Sequence, residues 1–413
     1  MLSTLNNQSF VHQTPAMRIL HLIATLARES GGPAQACLEM ARAVAARGHE
    51  VTIYTTNWAS NGVEPVPTSV RLQQDGVNVT YYPVHFPRFW KPSLAMASAL
   101  RRDLAQFDVV HLHSLYMFHD WLGGRLCQRL GVPYIVRPHG MLDPYIRSRH
   151  RARKQLVETL FQNRVLRQAT AIHYTSDVER EISQPFDGGA PARIVPLGVD
   201  LSGFDSLPPA ERFYQICPET RGRRVILFLS RLHFKKGLDL LIPAFARLAA
   251  EDPSLHLVIA GPDDGMLDQC KAWTRRDGVP DRVSFPGMLR GEDKLAAFAA
   301  ASVFSLPSYS ENFGIAVVEA MAAGLPVVIS DQVNIWREVQ AGGGALVVRC
   351  DEQKLTLALA TVLRDPTLAG DLAHKARDTV QRLYRWDNVA VALEAMYEDA
   401  AARRSGVPAA AAA

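Results

Sequence analysis

The chain has 413 residues, 48% of them hydrophobic and 21% charged, and a net charge of +4. That length predicts two or three domains, each able to bury its own core, with the composition of a soluble globular protein. No apolar run approaches the roughly 18 residues needed to cross a bilayer, and the modest charge argues against a nucleic-acid partner.

The polar stretch from Met1 to Ala16 lacks the apolar core of a signal peptide and reads as a loose tail, as does the Ala-rich end after Ser405. The five cysteines, at 37, 127, 217, 270 and 350, are dispersed and form no Cys-x-x-Cys pair. They fit small core residues in a reducing compartment, so a cytoplasmic location is expected, with no zinc site or disulfide framework indicated.

In chain order, Ile19–Ala24 is a strand-like apolar run, Pro33–Arg47 has helical spacing, and Val51–Thr55 is the next strand. The loop between the first two carries Gly31 and Gly32 before Pro33. Paired glycines let backbone N–H groups approach a phosphate, although a simple turn accounts for them equally well. They do not form a Gly-x-Gly-x-x-Gly fingerprint, which disfavours a nicotinamide dehydrogenase. Val109–Leu112, Tyr134–Val136 and Ala171–Tyr174 continue the strands. His111 and His113 face one side of their strand with no third metal ligand evident, so structural or supporting roles are expected. His139, in Arg-Pro-His-Gly just after a strand, is placed for exposure at the strand's carboxyl end.

Residues 1–200 hold 21 Lys/Arg against 15 Asp/Glu, and Arg147–Arg167, with seven basic residues and the single acid Glu158, equals that whole excess. An ordinary solvated helix is one reading of this segment. A peripheral contact with anionic lipid, placing the protein at the inner face of a cell membrane, is the other.

The proline-containing linker Arg193–Asp200 marks a domain boundary. The expected division is a tail at 1–16, a domain at 17–197, a second at 198–385, and a terminal helix with an Ala-rich tail at 386–413, the helix packing back on the first domain. The second series runs through Val225–Leu229, helical Leu238–Ala250, Leu255–Ala260, Arg282–Phe285, Val303–Leu306, Pro326–Ile329 and Ala345–Val348. Helices at Gln353–Leu363, Ala369–Leu383 and Asn388–Ala402 follow. Strand–helix alternation predicts parallel sheets covered on both faces. Two such doubly wound α/β domains in tandem would bind ligand in a cleft at the carboxyl ends of their strands.

Between Leu229 and Gly237 lies Ser-Arg-Leu-His-Phe-Lys-Lys, a loop after a strand and before a helix. Arg231 and Lys236 can face one spot there, where charge-assisted contacts to a leaving diphosphate are worth roughly 1.5–3 kcal/mol each. Lys235 reads as solvated. Further on, Ser308–Val328 reads Ser-Tyr-Ser-Glu-Asn-Phe-Gly-Ile-Ala-Val-Val-Glu-Ala-Met-Ala-Ala-Gly-Leu-Pro-Val-Val. A helix expected over Gly314–Ala323 offers free N–H groups and a positive dipole end, suited to phosphate. Glu311 and Glu319 flank that end and suit sugar hydroxyls, which is a nucleotide-sugar pattern. The chain contains no Asp-x-Asp pair, the usual chelating device of metal-dependent sugar transferases, so a metal is not implied.

The motifs together resemble a family-4 retaining glycosyltransferase of the GT-B fold, over nearly the whole length from Met17 to about Ala402. Those carrying the resemblance are Glu-x7-Glu (Glu311 to Glu319) within Ser-x-Glu-x-Phe-Gly, then Gly324-Leu-Pro326, Arg-Leu-x-x-x-Lys-Gly (Arg231 to Gly237), Gly31-Gly32, His139, and Pro-x-Gly-Val-Asp at 196–200. The resemblance implies a metal-independent enzyme, with no cofactor, that moves a hexose from a nucleoside-diphosphate sugar to a glycan or lipid-linked acceptor in bacterial surface polysaccharide or glycolipid assembly.

It implies that Glu311 and Asn312 sit at the donor sugar and that the Phe313-Gly314-Ile315 backbone holds sugar and phosphate. Glu319 then binds the ribose, Arg231 and Lys236 neutralise the diphosphate, and Gly31 and Gly32 close on it. His139 touches the sugar, and Met288 and Leu289 contact the base. The aromatics of Phe86–Lys91 and Tyr116–Trp121 are offered to the acceptor. Three positions depart from the family pattern. Asn312 stands where many members have Gly, Ser230 replaces a common Gly, and Gly140 follows the histidine where others carry Asp. A catalytically silent GT-B partner protein, or another GT-B enzyme such as a sugar-nucleotide epimerase or a phosphorylase, is the alternative. Neither accounts as well for the two glutamates and two cations together.

Overall fold

The computed structural model describes residues 15–27, 31–148 and 151–404. These divide into two compact units. One takes the described residues up to Val136, Gln168–Thr170 and those from Tyr397 on; the other takes Arg137–Arg167 and Ala171–Met396. Residues 1–14 and 405–413 of the predicted tails, residues 28–30 of the glycine loop and residues 149–150 of the basic segment lie outside the described residues. Among the described residues, no helix is long and apolar enough to cross a membrane.

The first unit contains β1 (Arg18–Thr25), β2 (Glu50–Thr56), the short hairpin of β3 (Trp58–Ala59) and β4 (Gly62–Val63), β5 (Arg71–Gln74), β6 (Val77–Tyr82), β7 (Val109–His113) and β8 (Tyr134–Arg137). Its sheet runs in the order β8-β7-β1-β2-β6-β5. β1 pairs in parallel with both β2 and β7, and β2 with β6, whereas β5 is antiparallel to β6. β6 and β7 are buried along their whole length, as strands covered on both faces must be. Only edge strand β5 alternates between exposed and half-buried residues. Sequence reading missed β5 and β6 because Arg-Leu-Gln-Gln is polar and short, and its buried partner follows directly across the Asp75-Gly76 turn.

In the second unit β9 (Ala171–Tyr174) and β10 (Ala192–Ile194) pair in parallel. Its main sheet is built from β11 (Arg224–Leu229), β12 (Leu255–Ala260), β13 (Val283–Gly287), β14 (Ala301–Leu306), β15 (Val327–Ser330) and β16 (Ala345–Val348). The order is β13-β12-β11-β14-β15-β16, parallel throughout. The chain therefore winds outward on one side of β11 and then on the other. That places a topological switch between β11 and β14, where open α/β sheets bind ligands. The helix Leu238–Glu251 buries Leu238, Leu241, Ile242, Phe245 and Leu248, a stripe at helical spacing that covers the sheet.

The linker motif has a steric basis. A Cβ on Gly198 would come within 2.2 Å of the Trp386 ring, so only glycine fits where the linker crosses the last helix, Trp386–Arg404.

Candidate functional site

All six strands of the main sheet point the same way, so the loops after β11 to β15 emerge at one edge. The loop after β11 carries Arg231 and Lys236, and the loop after β14 carries Glu311 to Gly314. These are the two loops that flank the switch point.

The β11 loop is fixed by three local devices. His233 accepts the Lys235 N–H through Nδ1 at 3.2 Å and opens a short turn over Phe234–Lys236. Gly237 ends that turn at φ 70° and starts the next helix. A Cβ at Gly237 would lie 2.0 Å from the Pro307 carbonyl oxygen, so the two loops touch through bare backbone. The Tyr309 N–H donates to the Lys235 carbonyl at 2.7 Å and ties the same loops again.

That backbone frame brings side chains together across the switch point. Lys236 is buried and forms an ion pair with Glu311. Glu311 is held by its main chain, which donates to the Gln332 carbonyl at 3.0 Å and accepts from the Asn334 N–H at 2.9 Å. Arg231 is exposed and pairs with Asp264 at 2.5 Å, from the loop after β12. Glu319, inside the helix Ile315–Ala322, pairs with Lys294 at 2.6 Å. Lys235 corrects an expectation: its ammonium lies 3.8 Å from the centre of the Tyr145 ring, a cation–π contact, so it is not simply solvated.

Gly314 has φ 85° and caps the helix Ile315–Ala322 without a side-chain hydrogen bond. Built onto it, a Cβ would come within 3.2 Å of Val317 and Val333. The first N–H groups of that helix have no side-chain cap, and its cap residue stands three residues after Glu311 in the chain. Phe313 turns inward, buried edge-on against Tyr384 with ring centres 5.5 Å apart, and anchors the turn from behind.

His139 adopts φ 53°, a left-handed conformation uncommon for a residue with a side chain, and Gly140 follows at φ 72°. The residue keeps partial exposure while its ring is enclosed. Burial, with the charges of Arg137 and His173 added, pushes the imidazole well below the ordinary histidine range. It is therefore neutral at physiological pH.

The Gly140 N–H donates to Glu179 at 3.2 Å, and a Cβ at Gly140 would sit 2.9 Å from Asn312 Oδ1. Two departures from the family pattern are thus neighbours. The side chain missing at 140 leaves the room that the one gained at 312 occupies. Gly140→Ala is expected to impair donor binding, with Asn312→Gly in the same chain recovering part of the loss, a coupling of about 0.5–3 kcal/mol. Additive effects in a double-mutant cycle on donor affinity would contradict this reciprocity.

The remaining expected residues are less gathered. Leu289 is buried after β13, and Met288 beside it is exposed. Gly31 and Gly32 belong to the first unit, where Gly31 takes φ 76° and precedes the helix Gly32–Ala45. Of the acceptor-side aromatics, Trp90, Phe118 and Trp121 pack on one another, whereas Phe86 and Phe89 are exposed.

Sequence reasoning missed Asp264, Lys294 and Tyr384. A signal existed for the first: Pro-Asp-Asp-Gly directly follows β12. There Asp263 accepts the N–H groups of Gly265, Met266 and Leu267, which leaves Asp264 to reach Arg231.

In the basic segment, Arg147 is bound by the segment's one acid, Glu158, at 2.8 and 3.2 Å, and lies 3.7 Å over the Phe186 ring. Leu156 and Leu160 are 60% and 69% exposed, while Leu166 is buried.

Two family models match the sequence: "Glycosyl transferases group 1" over residues 212–379 and "Glycosyl transferase 4-like domain" over residues 31–199. A D-inositol 3-phosphate glycosyltransferase of Stackebrandtia nassauensis is 29% identical, over 92% of this chain and 89% of its own. Among solved structures, the sucrose-phosphate synthase of Thermosynechococcus elongatus superposes with a TM-score of 0.72 at 22% identity, over 92% of this chain and 98% of its own. HepE of Anabaena, solved in complex with UDP and glucose, gives 0.70 at 18% identity, over 92% and 99%.

Proposed function

We propose that this chain, which belongs to the GT-B glycosyltransferases, is a retaining hexosyltransferase that moves a sugar from a nucleotide sugar to a glycan or lipid-linked acceptor. The observation that carries this reading is the Lys236–Glu311 pair beside the helix start at Gly314. It sets a buried cation, a carboxylate and free N–H groups at the switch point of one sheet. A nucleoside diphosphate presents its phosphates to the cations and helix end, and its sugar to Glu311, Asn312 and neutral His139. Glu319, held by Lys294, faces the ribose.

In the proposed reaction the acceptor hydroxyl attacks the anomeric carbon on the face that the diphosphate leaves. The carbon–oxygen bond to phosphate breaks, and the departing phosphate oxygen takes the hydroxyl proton. Arg231 and Lys236 stabilise the charge that develops on it, so no side-chain base is required. Metal independence is part of the proposal, because these cations do the work of a divalent ion. UDP sugars are the first donors to assay, since a solved structure of similar fold holds UDP and glucose.

The test separates the two carboxylates. Glu311→Ala should lower transfer by about 100-fold with nucleotide affinity nearly kept, whereas Glu319→Ala should weaken both. Thermal stabilisation by UDP, GDP and ADP, with turnover measured over a panel of donors, provides the readout. Absence of turnover with every donor and acceptor by folded protein would overturn the enzyme reading.

Leu156 and Leu160, four residues apart and exposed beside Arg164 and Arg167, support a membrane-surface acceptor. Replacing both leucines with serine should reduce co-sedimentation with anionic vesicles. Unchanged binding would remove that part of the reading. Assembly of a bacterial surface polysaccharide or glycolipid is the process it fits.

A further inference from the structure

We propose that the first unit holds a metal ion of its own, a copper(I) bound by His21, Cys37 and His113. His21 lies in β1, His113 ends the neighbouring β7, and Cys37 is on the helix Gly32–Ala45 packed against β1. All three are fully buried. Their ligand atoms lie within 4.8 Å of one another, and among the described residues this is the one group of three or more His, Cys, Asp or Glu so placed.

The spacing fits a small ion. His21 Nδ1 is 2.9 Å from His113 Nε2 and 4.0 Å from Cys37 Sγ. An ion at about 2 Å from each nitrogen and about 2.3 Å from sulfur, in a trigonal plane, sets those separations at about 3.5 and about 3.7 Å. Parting the two nitrogens by about 0.6 Å and closing the sulfur by about 0.3 Å, through χ rotations of the three side chains, converts one arrangement to the other.

The donors also choose the metal. Two imidazoles and a thiolate in a trigonal set are a copper ligand set, whereas structural zinc takes four ligands. Charge points the same way. Copper(I), one thiolate and two neutral imidazoles sum to zero, but zinc(II) in the same shell leaves a buried positive charge, which is costly. Binding displaces the thiol proton of Cys37 to solvent, and each imidazole coordinates through a nitrogen that carries no proton. A supporting shell is present as well. The Tyr397 hydroxyl lies 3.5 Å from His21 Nε2 and 2.8 Å from His111 Nδ1, so it stands behind one of the two imidazole ligands, His21.

The full chain, purified with reductant and stripped by chelator, is titrated anaerobically with copper(I) against a chromophoric copper(I) chelator. The expected result is one retained equivalent, a higher melting temperature, and sulfur and nitrogen neighbours in X-ray absorption. The near-isosteric Cys37→Ser should weaken retention by on the order of 100-fold and remove the sulfur signal, with the circular dichroism spectrum unchanged. Retention of no equivalent, or retention unaltered in Cys37→Ser, would overturn the site and leave a hydrogen-bonded histidine cluster. Because X-ray absorption of the wild-type protein reads sulfur ligation directly, a variant that failed to fold would still leave the question decided. One equivalent of zinc(II) held in preference to copper(I), with the same dependence on Cys37, would overturn the choice of metal.

Discussion

Lys236→Ala is expected to lower kcat/KM for glycosyl transfer by about 100-fold or more, with most of the loss in kcat. Two effects add. The leaving diphosphate loses a charge-assisted contact that strengthens as its charge develops, worth about 1.5–3 kcal/mol. Glu311 loses the cation that now pairs with it, and a carboxylate left largely enclosed without a partner is unfavourable by a further few kcal/mol. Arginine should not rescue. Lys236 is 6% exposed, and the loop is closed down on Pro307 by Gly237, so a planar guanidinium has no room. Activity within tenfold of wild type in Lys236→Ala, measured at saturating donor, would remove Lys236 from the chemistry.

Gly237→Ala is expected to be strongly destabilising, as is Gly261→Ala in the loop after β12, whose Cβ would stand 1.8 Å from the Ser230 carbonyl oxygen. The φ of 70° at Gly237 costs a side chain about 1–2 kcal/mol, and the added Cβ would stand 2.0 Å from a backbone oxygen that cannot swing away. Total destabilisation of about 3 kcal/mol or more is expected, visible as a lower urea midpoint with an unchanged slope. Because the clash lies between the β11 and β14 loops, a variant that still folds should lose transfer as severely as Lys236→Ala. Gly265→Ala serves as a control, since its φ is also positive at 86° but nothing lies within 4 Å of its Cβ. Equal midpoints for the two variants would show that strain alone, not the loop contact, sets the cost.

The alternation of apolar strands and helices was legible because buried parallel strands need continuous apolar runs, and Val-Ile-Leu-Phe-Leu at Val225–Leu229 can hardly be anything else. Loops of the main sheet were legible for a related reason: Arg231, Lys236 and Glu311 follow directly on strands that could be placed. What escaped reading was lateral pairing. Lys294 reaches Glu319 from another helix, and Asp264 reaches Arg231 from another strand, neither at a spacing that marks a partner. Gly140 and Asn312 could each be seen as a departure, but their compensation exists only in space. The hydrogen bonding of His111 and His113 was hidden in the same way, because their partners Tyr397 and His21 come from the last helix and a neighbouring strand.

Three cations on the ligand side of the main sheet, Arg231, Lys236 and Lys294, each hold a carboxylate: Asp264, Glu311 and Glu319. Each pair is electroneutral, so under the proposed function they would work as an ion exchanger in which an arriving phosphate must displace an internal counter-ion. A simple anion such as inorganic phosphate can do so at one pair only and gains little. A nucleotide sugar, bound as proposed, would displace Glu311 and at once offer it hydroxyls to bind, so the displaced acid would become a ligand. Selectivity against the abundant small phosphates of a cell then follows from the pairing itself, and inhibition by free phosphate should be far weaker than by a nucleoside diphosphate.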